Sequence, residues 1–274
     1  MTSNQWRLLH SSPASGSWNM ALDEALLEAV QAGDSPPTLR LYDWEPATLT
    51  LGYAQAIDNV DLKRLADKGW GIVRRPTGGR AILHVDEITY SVVAPASEER
   101  VAGGVLESYK RLSQALLRSV ELLDVPAIGK EKSGKRQKPS EPNPICFEAP
   151  SDYEITVDGK KLLGSAQARR KEGVLQHGSL PLYGDIARIT EVLTFSDDDK
   201  RKRAAERVRG SAATVESAIG RKVEWAEAAE AFAKGFSEAL DLELVTGDLS
   251  AQEIEAAQRW EKEKYATEEW TRRV

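Results

Sequence analysis

One cysteine and three histidines are all that 274 residues provide of the side chains most often found at reactive or metal centres. A single cysteine excludes an internal disulfide framework and fits a reducing compartment. No apolar run approaches the ~18 residues of a membrane span, and no period repeats along the chain. There is no basic excess either. The net charge is −6, which argues against a general nucleic-acid binder, since such a protein presents a basic face. His84 and His177 have no metal-ligand spacing with each other or with carboxylates, so no metal site is expected. The phosphate-cradling pattern GxxxxGK[ST] and the dinucleotide pattern GxGxxG are both missing, as is a nucleophile-elbow serine. No cofactor is therefore expected. The opening residues MTSNQWRLLHSS lack a charged stretch followed by an apolar one, so no signal peptide is expected and the location is read as cytoplasmic.

What is present is enough apolar material, 41% of the residues, for one large core. Residues 6–9 read as a strand. Residues 17–31 read as a helix capped by Ser17, with Asp23 and Glu24 in its early turns and Gly33 as its stop. Strands are expected at 39–43, 48–53, 72–73, 81–84 and 88–93, with a short helix at 61–68 and a long one at 98–123. Residues 130–144 carry Lys130, Lys132, Lys135, Arg136 and Lys138 among Gly, Ser and Pro without apolar periodicity, and read as a mobile loop. Helices are expected at 185–193, 198–208, 214–219, 224–240 and 250–269, with a strand at 242–246. Strands first and helices last give an α+β fold, with mixed and antiparallel sheets flanked by helices. The expected organisation is a single domain over residues 1–274, with a catalytic core at 33–247 and a helical tail at 248–274.

The stretch from 145 to 182 concentrates the chemistry. Residues 153–157 alternate polar and apolar, Asp158-Gly159 is a tight hairpin turn, and 161–167 and 174–182 read as two further strands. Cys146 lies just before this meander. It is either a small buried hydrophobe or a nucleophile, and a nearby ammonium favours the reactive thiolate. Strand alternation puts Lys160 and Lys161 on opposite faces, so one of them points inward, where a lysine is costly unless paired or functional. The loop Arg74-Arg75-Pro76-Thr77-Gly78-Gly79-Arg80 is either a hairpin turn or a backbone that a ligand approaches closely. Its arginines suit an anionic group or a structural ion pair. His84 and His177 read as structural hydrogen-bonding residues or pocket wall.

Four motifs in order carry a resemblance. The run from Arg74 to His84 resembles the RRxTGGxxxxH signature of the biotin/lipoate protein ligase catalytic domain. Lys161-Leu162-Leu163-Gly164-Ser165-Ala166-Gln167 is similar to that family's KxxGSAQ strand, residues 175–180 to its HGS/TL segment, and residues 19–25 to its NxAxDEA helix. Together they span residues 15–245. Arg80 stands where ligases carry a third glycine, and Cys146 precedes the lysine-bearing hairpin where ligases lack a nucleophile. That combination resembles the lipoate-ligase-like octanoyl-[acyl carrier protein]:protein N-octanoyltransferases. The extra C-terminal domain of bipartite ligases is not matched.

The resemblance implies acyl transfer without ATP in protein lipoylation. Cys146 would form an acyl-thioester, and Lys161 would lower its pKa and move a proton. Arg75, Gly78, Gly79, His84, Gly164, Ser165, Ala166, His177 and Gly178 would hold the acyl chain. The donor would be octanoyl-acyl carrier protein. The acceptor would be a lipoyl-domain protein such as glycine cleavage H protein or the E2 of a 2-oxoacid dehydrogenase, with no nucleic acid or membrane involved. The basic loop at 130–138 either attracts an acidic carrier protein or is a solvated linker. Two alternatives share the motifs: an ATP-dependent lipoate-protein ligase, and an amidotransferase moving octanoyl between lipoyl domains.

Overall fold

The computed structural model describes residues 4–131, 145, 153–170 and 172–274. Cys146 and most of the basic loop lie outside the described residues, as does Lys171. The chain opens with β1 (Gln5–His10) and α1 (Gly16–Ala32). The cap of α1 is Ser15 rather than Ser17: its hydroxyl accepts from the Trp18 amide, while Ser17 donates to Glu261. With the start at Gly16, Asp23 and Glu24 fall two turns in and are buried. They hold partners inside the protein rather than serving the helix dipole.

Next come β2 (Thr38–Tyr42), β3 (Thr48–Leu51), α2 (Leu62–Asp67), β4 (Gly71–Arg74), β5 (Ile82–His84) and β6 (Glu87–Pro95). α3 spans Val105–Glu121, shorter at its start than the apolar pattern predicts. Residues 98–104 turn instead, with Arg100 paired to Glu98 and Gly103 at φ 83°. The three-stranded meander is as expected, in β8 (Tyr153–Val157), β9 (Lys160–Arg169) and β10 (Gly173–Pro181), but a fourth antiparallel strand, β7 (Ile128–Glu131), pairs with β8 and takes in Lys130 from the stretch read as a loop. The β8–β9 turn holds Asp158 at φ 49° and Gly159 at φ 75°, the two left-handed residues of a type I′ hairpin.

The remainder is a 3₁₀ segment Ile186–Val192, α4 (Asp198–Ser211), α5 (Val215–Ile219), α6 (Trp225–Leu240), β11 (Glu243–Thr246) and α7 (Ala251–Trp260). The single helix expected over 250–269 is broken. After α7 comes a π turn, Glu261–Tyr265, and then α8 (Glu268–Thr271), capped by Thr267. The break turns the chain back on itself. It lets the buried Tyr265 donate to Glu24 of α1 at 2.7 Å and the Trp270 indole donate to the Arg74 carbonyl at 2.9 Å.

Two mixed sheets result. The large one runs β11-β1-β2-β6-β10-β9-β8-β7 and the small one β4-β3-β5. β2 and β10 are buried along their whole length, as strands covered on both faces must be. α3 and α6 cover one face, where Tyr90 meets Phe232 and Phe236. α1 and α7 cover the other through Leu22, Leu26 and Ala257. The small sheet has its own core with the 3₁₀ segment and α4. Residues of the Gly-rich stretch, β5, β9 and β10 meet in the seam between the two sheets.

Candidate active site

The Gly-rich loop joins β4 to β5, and its two arginines hold the backbone in shape. Arg74 is fully buried and donates to the carbonyls of Gly52 (2.7 Å), Gln55 (2.6 Å) and Thr271 (2.7 Å). Arg75 donates to the carbonyls of Gly78 (3.0 Å) and Arg80 (2.8 Å) and to the Thr50 hydroxyl (3.0 Å). The anionic ligand considered for this pair is replaced, at Arg74, by main-chain carbonyls. Gly79 sits at φ 98°, and its carbonyl would lie 1.9 Å from a β-carbon on Gly52. The loop is thus pressed against β3 at a point only glycine tolerates.

Under this loop lies a narrow cavity of about 40 Å³. Gly79, Ile82 and His84 form one wall. Gly164, Ser165 and Ala166 of β9 and His177, Gly178 and Ser179 of β10 form the opposite one, and Met20, Tyr42 and Trp44 complete it. Arg75 also lines it. Of the residues expected to hold an acyl chain, only Gly78 stands apart: it lines a larger open cleft next door. Gly178 is confined by neighbours, since a β-carbon there would meet the Gly164 carbonyl, Ser165 Oγ and Tyr90 Cε1, each at 2.6 Å.

Lys161 is buried, and Lys160, the half-buried partner in the alternation, reaches the Arg209 carbonyl at 2.9 Å. Lys161 pairs through its backbone with Ala212, which packs on Ile82 of the cavity wall. Ile145, the residue before Cys146, is buried and pairs with Ala81, the residue before Ile82. Two separate stretches of sequence therefore converge on the Ala81-Ile82 segment.

His84 and His177 are each hydrogen-bonded through both ring nitrogens. His177 Nδ1 lies 3.2 Å from Asp23 Oδ2, and its Nε2 lies 2.7 Å from the Thr77 hydroxyl. Burial pushes the Asp23 carboxyl up, but the hydrogen bond with His177 and the Arg40 guanidinium outweigh it and hold the group below its ordinary value. Burial also depresses the His177 imidazole, against the pull of Asp23. An ionised Asp23 beside a neutral His177 fixes the tautomer: Nδ1–H donates to Asp23, and Nε2 accepts from Thr77. His84 Nδ1 lies 2.7 Å from Glu87, and its Nε2 lies 2.9 Å from the Thr50 hydroxyl. The His84 ring is stacked on Trp44 with centroids 4.1 Å apart. Glu87 also accepts from the hydroxyls of Thr89 and Ser179.

Sequence reasoning missed most of this support. Asp23 and Asn19 stood inside a quoted motif, but nothing local shows that they face Arg40 of β2, with Asn19 Oδ1 accepting at 2.6 Å. Thr50, Trp44 and Glu87 carry no sequence signal at all. Among the described residues no group of His, Cys, Asp and Glu is placed to hold a metal ion.

The model of the lipoyl protein ligase A/B catalytic domain matches residues 15–237. The chain belongs to this family. Within it, the chain is 42% identical to the octanoyltransferase LipM of Kyrpidia tusciae and 42% identical to that of Symbiobacterium thermophilum, in both cases over 98% of each chain. Its fold is similar to that of the bipartite lipoate protein ligase of Thermoplasma acidophilum, with TM-score 0.80 and 27% identity over 98% of this chain and 96% of that one. It is also similar to lipoate-protein ligase A bound with ATP, with TM-score 0.78 and 26% identity over 98% of both. The chain is an acyltransferase of the family, and the α+β architecture is that of its ligases. No described helix is long and apolar enough to cross a membrane.

Proposed function

We propose that the chain moves an octanoyl group from octanoyl-acyl carrier protein to a lysine of a lipoyl domain, through a thioester on Cys146. The observation that carries the octanoyl reading is the 42% identity, over nearly the full length, to octanoyltransferases. The cysteine reading is supported by the convergence of Ile145 and Lys161 on Ala81-Ile82 beside the cavity.

In this reading the acyl chain lies in the cavity against Gly79, Gly164 and Gly178, where absent side chains leave room for methylenes. Each buried methylene is worth about 0.8 kcal/mol. Arg75, His84 and His177 hold the walls rather than the reacting atoms. The Lys161 ammonium favours the Cys146 thiolate, which attacks the donor carbonyl. The carbon–sulfur bond to the carrier breaks, and the carrier leaves as a thiolate with the bond's electron pair and takes up the Lys161 proton. One thioester replaces another, so no ATP is needed. Acylation removes the negative charge beside Lys161, which eases loss of its proton. The freed amine then takes a proton from the attacking lysine of the lipoyl domain. Collapse forms the amide and returns Cys146 as the thiolate. An amide is more stable than a thioester, and the second step runs downhill.

The test is octanoylation of a lipoyl domain by the purified chain under two sets of conditions. Transfer from octanoyl-acyl carrier protein without nucleotide is the expected result. Modification only when free octanoate and ATP are supplied would make the chain a ligase. Transfer only from an octanoylated lipoyl domain would make it the amidotransferase.

A further inference from the structure

The larger cleft beside the cavity has no part in the chemistry above. Cleft and cavity share Gly79, and β9 runs from one into the other, with Gly164–Ala166 in the cavity wall and residues 167–170 in the cleft wall. The cleft gathers five cations, Arg80, Arg169, Arg170, Lys264 and Arg273, and no carboxylate lines it. That is unexpected in a chain of net charge −6. Glu24 stands behind it and takes Arg170 at 3.1 Å and Lys264 at 3.3 Å. The other three have no carboxylate partner among the described residues. Arg169 donates to the Val101 carbonyl at 3.0 Å and to neutral side chains. Arg273 lies over the rings of Tyr53, at 4.1 Å, and Trp270, at 4.7 Å. Guanidiniums left without counter-charge in one cleft point to an anionic ligand, and phosphate oxygens suit their fork of donors.

The position of the cleft narrows the ligand. Arg80 is next to Ala81, which pairs with Ile145, and Ile145 precedes Cys146. The cleft thus opens where the carbonyl end of a cavity-bound acyl chain meets the proposed nucleophile. Its volume of about 850 Å³ exceeds what a single ion needs. We propose that this cleft seats the phosphodiester on the thiol arm of the acyl donor, and that the C-terminal tail is part of the donor site. The proposal rests on the reading of the chain as a carrier-dependent transferase. The tail brings Lys264, Trp270 and Arg273 to the cleft, and Arg74 fastens it there: it donates to the Thr271 carbonyl, and its own carbonyl accepts from the Trp270 indole. Arg74 is a positioning residue for this site.

The test compares octanoyl-4′-phosphopantetheine with octanoyl-pantetheine, which differ by one phosphate, as calorimetric ligands of the full chain carrying Cys146→Ala so that no acylation intervenes. The phosphorylated ligand is expected to bind about tenfold tighter, the gain from charge-assisted hydrogen bonds to one anion. That preference is expected to shrink as salt rises. It should collapse towards parity when Arg80→Gln and Arg273→Gln are added, and persist in Arg221→Gln, a surface arginine paired with Glu227 far along the chain. Arg273 is exposed at the end of the tail, so its loss leaves the core intact. Equal binding of the two ligands overturns the proposal. So does a phosphate preference that survives the Arg80→Gln, Arg273→Gln change, since the phosphate would then sit elsewhere. If the preference is present and lost as expected while no thioester acylates the unmodified chain, the anion site stands and the transferase reading falls.

Discussion

At the scale of single residues, Asp23 accounts for most of what holds the cavity together. Its carboxylate accepts from Arg40 (2.8 Å) and Ser91 (2.9 Å) on one oxygen, and from Tyr42 and His177 (both 3.2 Å) on the other. Arg40 and Asp23 are both fully buried, so each is costly without the other. Asp23→Leu leaves the Arg40 guanidinium uncompensated and is expected to lower unfolding free energy by roughly 3–5 kcal/mol in denaturant titration. His177 adds a pH dependence. Its imidazole is held below the ordinary value of 6.5, so on acidification the unfolded chain takes up this proton first. The stability it contributes is present above pH 6.5 and is lost as pH falls towards its folded value. Melting temperature should therefore decline more steeply below pH 6.5 in the parent chain than in His177→Gln.

At the scale of elements, legibility followed the range of the determining contact. The β8–β9 hairpin was readable because period-2 alternation and Asp158-Gly159 are local signals, and the structure follows them. The start of α3 was not, because residues 98–104 look helical until Gly103 takes a left-handed φ of 83°. The break after Trp260 was hidden for a different reason. Tyr265 and Trp270 are drawn to Glu24 and Arg74, more than 190 positions away in sequence. The motif residues at the cavity were legible as a set, while Thr50, Trp44 and Glu87 were not. Their roles exist only once β3, β5 and β6 are side by side. Two predictions belong here. Arg74→Ala removes the donors that hold the Thr271 and Gln55 carbonyls and is expected to expose the tail, read as faster limited proteolysis beyond residue 260. Gly52→Ala places a methyl 1.9 Å from the Gly79 carbonyl and forces the Gly-rich loop away. Acyl transfer should fall by at least tenfold, with the kinetic loss larger than any loss of melting temperature explains.

At the scale of the whole molecule, the seam between an eight-stranded and a three-stranded sheet creates the cavity, and the C-terminal helices close the cleft beside it. The same architecture serves ligases, so fold alone does not select the chemistry. The proposed selector is a Cys146 thioester assisted by the buried Lys161, and that is open to a direct test. Intact-protein mass would be measured after mixing the chain with octanoyl-acyl carrier protein, without ATP and without an acceptor. One octanoyl adduct is expected, removed by hydroxylamine and missing from Cys146→Ala. An unmodified mass, or an adduct that survives in Cys146→Ala, would contradict it.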